Sequence, residues 1–171
     1  MDELGVDLDR IALSGGSAGG GLCAAVALKA RDSSGPLICF QFLAAPALDD
    51  RLETASMIQF LNTPVIQRAS IQRCWEWYLG EPVSEISPYA APARAEDLSG
   101  LPTTYMTVSE FDPLRDEGIE FAARLLAAGV SVELHCFPGT FHGSSMVKSA
   151  SISQRQHAEN MAVWRRALRS R

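Results

Sequence analysis

The sequence has few cysteines, and none of them forms a C-x-x-C pair. Three of the four, Cys23, Cys39 and Cys136, lie within apolar runs and are predicted to be buried and reduced, whereas Cys74 lies in a helical pattern. No apolar run approaches the length of a membrane span. The N-terminal stretch MDELGVDLDR is acidic and lacks the charged-then-apolar pattern of a leader. We therefore expect a cytoplasmic protein without a membrane span.

Positive charge is scarce as well. Lys and Arg number 15 against 20 Asp and Glu, for a net charge of −5, which argues against nucleic acid or an anionic membrane as a partner. Basic residues concentrate only in the C-terminal group Arg165, Arg166, Arg169 and Arg171. Because cations oppose the dipole at the end of a helix, we interpret this group as a helix terminus rather than a binding patch.

The sequence shows no internal repeat and no low-complexity segment, and its 171 residues predict a single domain. Strand-like runs alternate with helical patterns, which predicts an α/β fold with a parallel sheet and helices on both faces. On the last helix, His157, Met161, Trp164 and Leu168 form the predicted apolar stripe. The predicted strands are 10–14, 37–45, 103–109 and 130–137, and the predicted helices are 16–32, 65–80, 113–129 and 152–169.

A glycine-rich turn joins the first strand to the first helix. Residues 15–19 read Gly-Gly-Ser-Ala-Gly and match the G-x-S-x-G pattern of a nucleophile elbow. A serine at so sharp a turn takes a strained backbone conformation, and side chains two residues before or after it would collide with neighbouring elements, which predicts glycine at Gly15 and Gly19. Ser17 would then stand at a helix N-terminus, where the backbone N–H of Ala18 can donate to an oxyanion.

A phosphate-binding turn is the alternative interpretation of these glycines. The dinucleotide fingerprint requires an acidic residue about 20 residues further along, to hold a ribose. Asp49 and Asp50 lie about thirty residues further along, and no G-K-[ST] sequence follows the glycines, which excludes a P-loop. A nucleotide titration would test this alternative directly.

A serine nucleophile needs an imidazole as its base, and the sequence offers only three histidines. His135 lies inside a predicted strand, and His157 lies on the last helix, so both favour structural roles. His142 lies in the loop PGTFHGSS, just after a strand. Catalytic groups of parallel sheets collect at the carboxyl ends of strands, and His142 is therefore the predicted base.

The predicted acid is Asp112, in the segment SEFDPLRDEG after the third strand. An Asp followed by Pro at the start of a helix is also a helix N-cap, which leaves a structural alternative open. Glu110 and Asp116 compete locally, and Asp49 and Asp50 follow an earlier strand. The chain order Ser17, Asp112, His142 is the one expected for this fold class.

Three segments of the sequence resemble the hormone-sensitive-lipase-like carboxylesterases of the α/β-hydrolase fold. They are DRIALSGGSAGGGLCAAVALKARD, SPYAAPARAEDLSGLP and SEFDPLRDEGIEFAARLLAAGVSVELHCFPGTFHG. The resemblance implies a serine hydrolase that cleaves carboxylic esters, with Ser17 as nucleophile, Asp112 as acid and His142 as base. Gly16 departs from the aspartate often found before the serine, a change that leaves the triad intact.

The resemblance also implies that residues 1–171 are the C-terminal portion of an α/β-hydrolase domain, which lacks the N-terminal strands, the cap and an H-G-G-G-like loop. The strand RIALS (10–14) would then form an open edge of the sheet. An apolar edge favours pairing with another chain, so we expect a homo-oligomer, another pairing through this edge, or poor solubility as a monomer.

The implied partner is a small-molecule ester, and the triad chemistry implies no cofactor and no metal. Trp75, Trp77 and Tyr78 could contact an acyl group, although amphipathic packing also accounts for them. A second functional hypothesis is a weak or inactive hydrolase that only binds ligands or pairs with a partner, because the missing glycine loop supplies oxyanion donors in the family.

Overall fold

Four parallel strands form one sheet in a computed structural model that describes residues 7–81 and 84–168. The strands are β1 (Ile11–Gly16), β2 (Ile38–Ala44), β3 (Thr103–Phe111) and β4 (Val132–Phe141), in the spatial order β1-β2-β3-β4. The predicted parallel α/β sheet is therefore confirmed. Residues 1–6, together with Arg169 and Arg171 of the C-terminal basic group, lie outside the described residues.

Five α-helices connect and cover the strands within the described ranges. They are α1 (Ala18–Asp32), α2 (Ala55–Gln59), α3 (Arg68–Leu79), α4 (Arg115–Ala127) and α5 (Ser151–Ala167). The sequence pattern does not predict α2, because five residues are too few to show a helical period. Strand β4 is longer than predicted: it continues through Pro138 and Gly139 to Phe141, which pairs with Phe111 of β3.

Both faces of the sheet are covered by helices. On one face, α1 and α4 bury a core that includes Leu28, Leu43, Met106, Phe121 and Leu125. On the other face, Val163 and Trp164 of α5 pack against the aromatic residues Phe40, Phe42 and Tyr105. A third cluster lies beneath α2 and α3 and contains Leu52, Met57, Ile71, Trp75, Ala91 and Leu114.

The apolar stripe predicted for α5 is wrong in all but one residue. Trp164 packs on the sheet, with its ring centroid 5.4 Å from that of Phe42. His157 is exposed, and Met161 and Leu168 are 39% and 46% exposed. Val163 faces inward instead, and it packs with Trp164 and Ala167 against the aromatic side chains of β2 and β3.

All four cysteines are free, and Cys23 and Cys39 are half-buried. The prediction of a buried thiol at Cys136 is wrong, since Cys136 is exposed. It lies on β4, an edge strand of the described sheet, on the face opposite to that of Phe137.

Strand β1 forms the other edge of the described sheet and pairs only with β2. The expectation that RIALS lies at an open edge is therefore met in the described part of the chain, whereas pairing through that edge stays a prediction. Separately, none of the helices in the described ranges is both long and apolar enough to cross a membrane.

Candidate active site

The carboxyl ends of three strands bring Ser17, Asp112 and His142 together. Ser17 follows β1, Asp112 follows β3 and His142 follows β4. The pairing of Phe111 with Phe141 places the residues that follow these two strands, Asp112 and His142, side by side. His142 Nδ1 lies 2.8 Å from Asp112 Oδ2, and His142 Nε2 lies 3.0 Å from Ser17 Oγ. The three side chains thus form one continuous hydrogen-bonded chain.

Ser17 has a strained backbone held by the elements around it. Its φ of 56° and ψ of −126° lie in a region that non-glycine residues rarely adopt, at a cost of about 1–3 kcal/mol. The N–H of Ser17 donates to the carbonyl of Ala44 (2.8 Å), and its own carbonyl accepts from the N–H of Ala47 (3.0 Å). These bonds fix the turn against the loop that follows β2.

Close packing explains glycine at one end of the predicted elbow but not at the other. A Cβ on Gly15 would lie 2.1 Å from the carbonyl oxygen of Gly19, so no side chain fits there. A Cβ on Gly19 meets nothing within 4 Å, and the predicted collision at Gly19 is wrong. The tight position is instead Gly21, whose added Cβ would lie 2.0 Å from the carbonyl oxygen of Ala47. The run of glycines at residues 19–21 was the signal in the sequence for this close approach of α1 to the loop after β2.

The environment of Asp112 fixes how its carboxylate meets His142. Asp112 is fully buried, and His142 is 8% exposed. The Oδ1 atom of Asp112 accepts the N–H of Leu114 at 2.9 Å, which leaves Oδ2 to accept from Nδ1 of His142. With the proton on Nδ1, Nε2 is an acceptor for the hydroxyl of Ser17.

The other acidic residues considered from the sequence have structural partners. Asp116 accepts the N–H of Ser56 at 2.7 Å and thereby holds the start of α2. Glu110 accepts the N–H of Gly139 at 2.6 Å and ties β3 to the end of β4. The two remaining candidates form the ion pairs Asp49–Arg51 and Asp50–Arg94. None of these contacts involves His142.

The two other histidines lie away from Ser17. His135 contacts the carboxylates of Glu133 (3.0 Å) and Glu159 (3.4 Å) on the face covered by α5. His157 is exposed on α5 itself. Within the described ranges, no cluster of His, Cys, Asp or Glu has the arrangement of a metal site.

The backbone N–H of Ala18 stands beside the hydroxyl of Ser17. Ala18 is the first residue of α1, so its N–H has no acceptor within the helix. The 15-residue helix directs the positive end of its dipole toward the same place. When Ser17 Oγ bonds to a carbonyl carbon, the negative charge that develops on the carbonyl oxygen would be stabilised by this N–H and this dipole.

An apolar cavity of about 210 Å³ opens beside Ser17. Of the aromatic residues singled out on α3, Trp75 and Tyr78 line it, and Trp75 also belongs to the core beneath α3. Trp77 is 76% exposed and does not line the cavity. The other apolar lining residues include Leu22, Ile66, Ile71 and Leu114.

Glu117 is a buried acid near this site that the sequence reasoning missed. It is 2% exposed, and its Oε1 accepts the N–H groups of Leu48 (2.6 Å) and Asp49 (3.3 Å). Its Oε2 has no hydrogen-bond partner. Burial raises the pKa of Glu117 to about 8, and the charges of Asp49 and Asp112 add to the increase. Its position one helical turn before Phe121, on the inward side of α4, was the signal available in the sequence.

The comparisons with known proteins agree on one family. A family model described as alpha/beta hydrolase fold matches residues 1–146. Esterase LipI of Mycobacterium tuberculosis (strain ATCC 25618 / H37Rv) is 41% identical over 143 residues, which cover 82% of this chain and 44% of that protein. Carboxylesterase NlhH of the same strain is 42% identical over 147 residues, covering 82% of this chain and 45% of that protein.

Solved structures agree in fold. A bacterial heroin esterase superposes with a TM-score of 0.96 at 57% identity, covering 98% of this chain and 55% of the other. Esterase LipW from Mycobacterium marinum gives a TM-score of 0.90 at 42% identity and covers 98% of this chain and 52% of the other. The chain spans about half the length of the curated relatives it matches. The chain belongs to the α/β-hydrolase fold family, among the hormone-sensitive-lipase-like carboxylesterases that its sequence resembles.

Proposed function

We propose that this chain hydrolyses carboxylic esters through an acyl-enzyme formed on Ser17. The observation that supports this most is the unbroken hydrogen-bonded chain from Asp112 through His142 to Ser17. The names of its relatives, which include a carboxylesterase and several esterases, support the same class of reaction. No cofactor enters this chemistry.

In the proposed reaction, Ser17 Oγ attacks the ester carbonyl while His142 Nε2 takes its proton. Buried Asp112 stabilises the imidazolium that forms on His142. The proton then passes from His142 to the leaving alcohol, and the C–O bond to that alcohol breaks. Water then attacks the acyl-enzyme while His142 Nε2 takes a proton from it. The bond between the acyl carbon and Ser17 Oγ breaks, His142 returns the proton to Ser17 Oγ, and the carboxylic acid is released.

Oxyanion stabilisation is the proposed weak point of this chain. Ala18 N–H and the N-terminus of α1 face the developing charge. In the family, further donors come from an H-G-G-G-like loop, which this sequence does not contain. Loss of one oxyanion donor costs about 10²–10³-fold in turnover, so we expect residues 1–171 to hydrolyse esters more slowly than a family member that contains this loop.

Hydrolysis of p-nitrophenyl butyrate tests the proposal. We expect the wild-type chain to release nitrophenol above the rate of buffer alone and Ser17→Ala to match the buffer rate. Ser14→Ala is the matched control, because Ser14 lies on the exposed side of β1, three residues before Ser17. Equal rates for the wild type and Ser17→Ala, with both proteins folded, would refute the proposal.

The apolar cavity supports a preference for esters of short aliphatic acids. Tyr78 and Trp77 are neighbours on α3 and are 52% and 76% exposed, but only Tyr78 lines the cavity. We expect Tyr78→Ala to lower the ratio of kcat/KM for hexanoate over acetate esters about 5–30-fold, because it removes apolar contact with the longer chain. Trp77→Ala serves as the matched control and should leave the ratio unchanged. Equal ratios in the two variants would place the acyl group outside this cavity.

A binding or pairing module is the second candidate function. Strand β1 lies at an edge of the described sheet, and its backbone groups on that side have no strand partner among the described residues. We propose, in that case, that the edge pairs with a second copy or with another polypeptide. A single monodisperse monomer in size-exclusion chromatography with light scattering would count against pairing.

Two further proposals concern the chain as a whole. We propose that residues 1–171 correspond to the C-terminal portion of an α/β-hydrolase domain, since the matched relatives are about twice as long. A cytoplasmic location also stays a prediction, supported by the free state of all four cysteines.

A further inference from the structure

Glu117 is a buried carboxyl group that the proposed reaction does not use. It lies in the first turn of α4 with one oxygen in two hydrogen bonds and the other without a partner. Burying a carboxyl group is unfavourable unless its contacts compensate for the lost water. The hydrogen bonds of Glu117 connect it to the segments that carry Ser17 and Asp112.

On one side, Glu117 holds the loop that supports the nucleophile. Glu117 Oε1 accepts the N–H of Leu48 at 2.6 Å. The preceding residue, Ala47, donates its N–H to the carbonyl of Ser17 at 3.0 Å. Two consecutive peptide groups thus connect Glu117 to the strained turn at Ser17.

On the other side, Glu117 belongs to the segment that carries the acid. The carbonyl of Asp112 accepts the N–H of Arg115 (3.0 Å), and its Oδ1 accepts the N–H of Leu114 (2.9 Å). Glu117 lies in the first turn of α4, two residues after Arg115, so one short segment carries both carboxyl groups. The carboxyl group of Glu117 therefore bridges the two segments that hold Ser17 and Asp112.

We propose that Glu117 is a positioning residue that sets the separation between Ser17 and the His142–Asp112 pair by hydrogen bonding to the Leu48 N–H. It touches neither the substrate nor the reacting atoms. This inference rests on the proposed function, since its value to the chain depends on the triad being used. It gives a role to Glu117, the glutamate of the D-E-G segment at residues 116–118, which the triad does not explain.

Burial, together with the charges of its neighbours, sets the charge state of Glu117. The acidic groups that face it are Asp49, which is paired with Arg51, and Asp112, which is paired with His142. With a pKa of about 8, Glu117 is neutral at pH 7, and only its acceptor oxygen is needed there. Its ionisation would add a negative charge beside Asp112 in a buried site.

Three variants separate positioning from other roles. Glu117→Gln keeps the acceptor oxygen and is neutral at every pH, whereas Glu117→Leu fills the same space without an acceptor. At pH 7 we expect kcat of Glu117→Gln within about 3-fold of the wild type, and kcat of Glu117→Leu about 10–100-fold lower with little change in KM. Glu120→Leu, on the exposed side of α4, is the matched control and should retain wild-type kcat.

Rescue by the conservative variant gives a readout that structural damage does not mimic. If the acceptor oxygen is what positions the triad, Glu117→Gln keeps kcat, whereas a disturbed core would impair Glu117→Gln and Glu117→Leu alike. A folded Glu117→Gln with kcat more than about 10-fold below the wild type would overturn the inference even if Glu117→Leu failed to fold. Equal impairment of Glu117→Gln and Glu117→Leu at pH 7 would also overturn it.

A direct observation of the His142–Asp112 hydrogen bond separates this inference from the proposed function. The Nδ1 proton of His142 should give a low-field proton resonance in the wild type and in Glu117→Gln, and a shifted or absent one in Glu117→Leu. If that resonance stays unchanged in folded Glu117→Leu, the inference fails whether or not the chain is active. If the wild type shows the resonance but no more hydrolysis than Ser17→Ala, the proposed function fails instead.

Discussion

Asp112→Asn is expected to lower ester hydrolysis about 10⁴-fold while leaving the fold intact. Asp112 Oδ1 already accepts the N–H of Leu114, and the amide oxygen of asparagine will keep that bond. The amide NH₂ then faces His142 Nδ1, which becomes an acceptor, so the ring proton moves to Nε2. In that tautomer Nε2 donates to Ser17 Oγ and cannot take its proton.

Kinetics with p-nitrophenyl butyrate, together with circular dichroism, measure this effect. Asp97→Asn is the matched control, because it makes the same carboxylate-to-amide change at an exposed residue whose side chain contacts Ser99. We expect that variant to retain wild-type kcat/KM. A folded Asp112→Asn with activity near the wild type would show that Asp112 does not orient the base.

Glu117→Gln is expected to change how stability depends on pH, by up to about 1.4 kcal/mol per pH unit. The pKa of Glu117 rises from an ordinary value of 4.5 to about 8 in the folded chain, chiefly because of burial. Below 4.5 both states are protonated and this group gives no pH dependence. Between 4.5 and 8 the unfolded chain loses the proton and the folded chain keeps it, so the wild type loses stability as pH rises.

Glutamine has no proton to lose, so the free energy of unfolding of Glu117→Gln should increase relative to the wild type from pH 5 to pH 7.5. Urea unfolding at several pH values measures the difference. Glu120→Gln, an exposed glutamate on the same helix, is the control and should follow the wild type at every pH. A constant difference between Glu117→Gln and the wild type would mean that Glu117 ionises in the folded chain as it does in water.

The positions of the three triad residues could be predicted because each follows a strand. In a parallel sheet the carboxyl ends of strands lie at one edge, so Ser17, Asp112 and His142 had to lie at the same end. The distances of 2.8 and 3.0 Å between them could not be predicted, since they depend on the register of β3 and β4. The continuation of β4 past Gly139 sets that register, and the sequence there reads as a loop.

Long-range contacts account for the features that the sequence did not reveal. The collision at Gly21 involves a carbonyl of the loop after β2, which no local pattern specifies. Helix α2 is short and is stabilised by Asp116, a residue far away in sequence. Glu117 looks like an ordinary acidic residue in a first helical turn, where charge is favourable without burial. In each case the partner lies on another element of the fold.

The central claim is that His142 and Asp112 activate Ser17, and covalent labelling with a fluorophosphonate tests it without requiring turnover. The chain should gain the mass of one phosphonyl group, peptide mapping should place that group on Ser17, and His142→Ala should react far more slowly. Absence of labelling in the folded wild type, or labelling of Ser17 that is equally fast in His142→Ala, would contradict the claim.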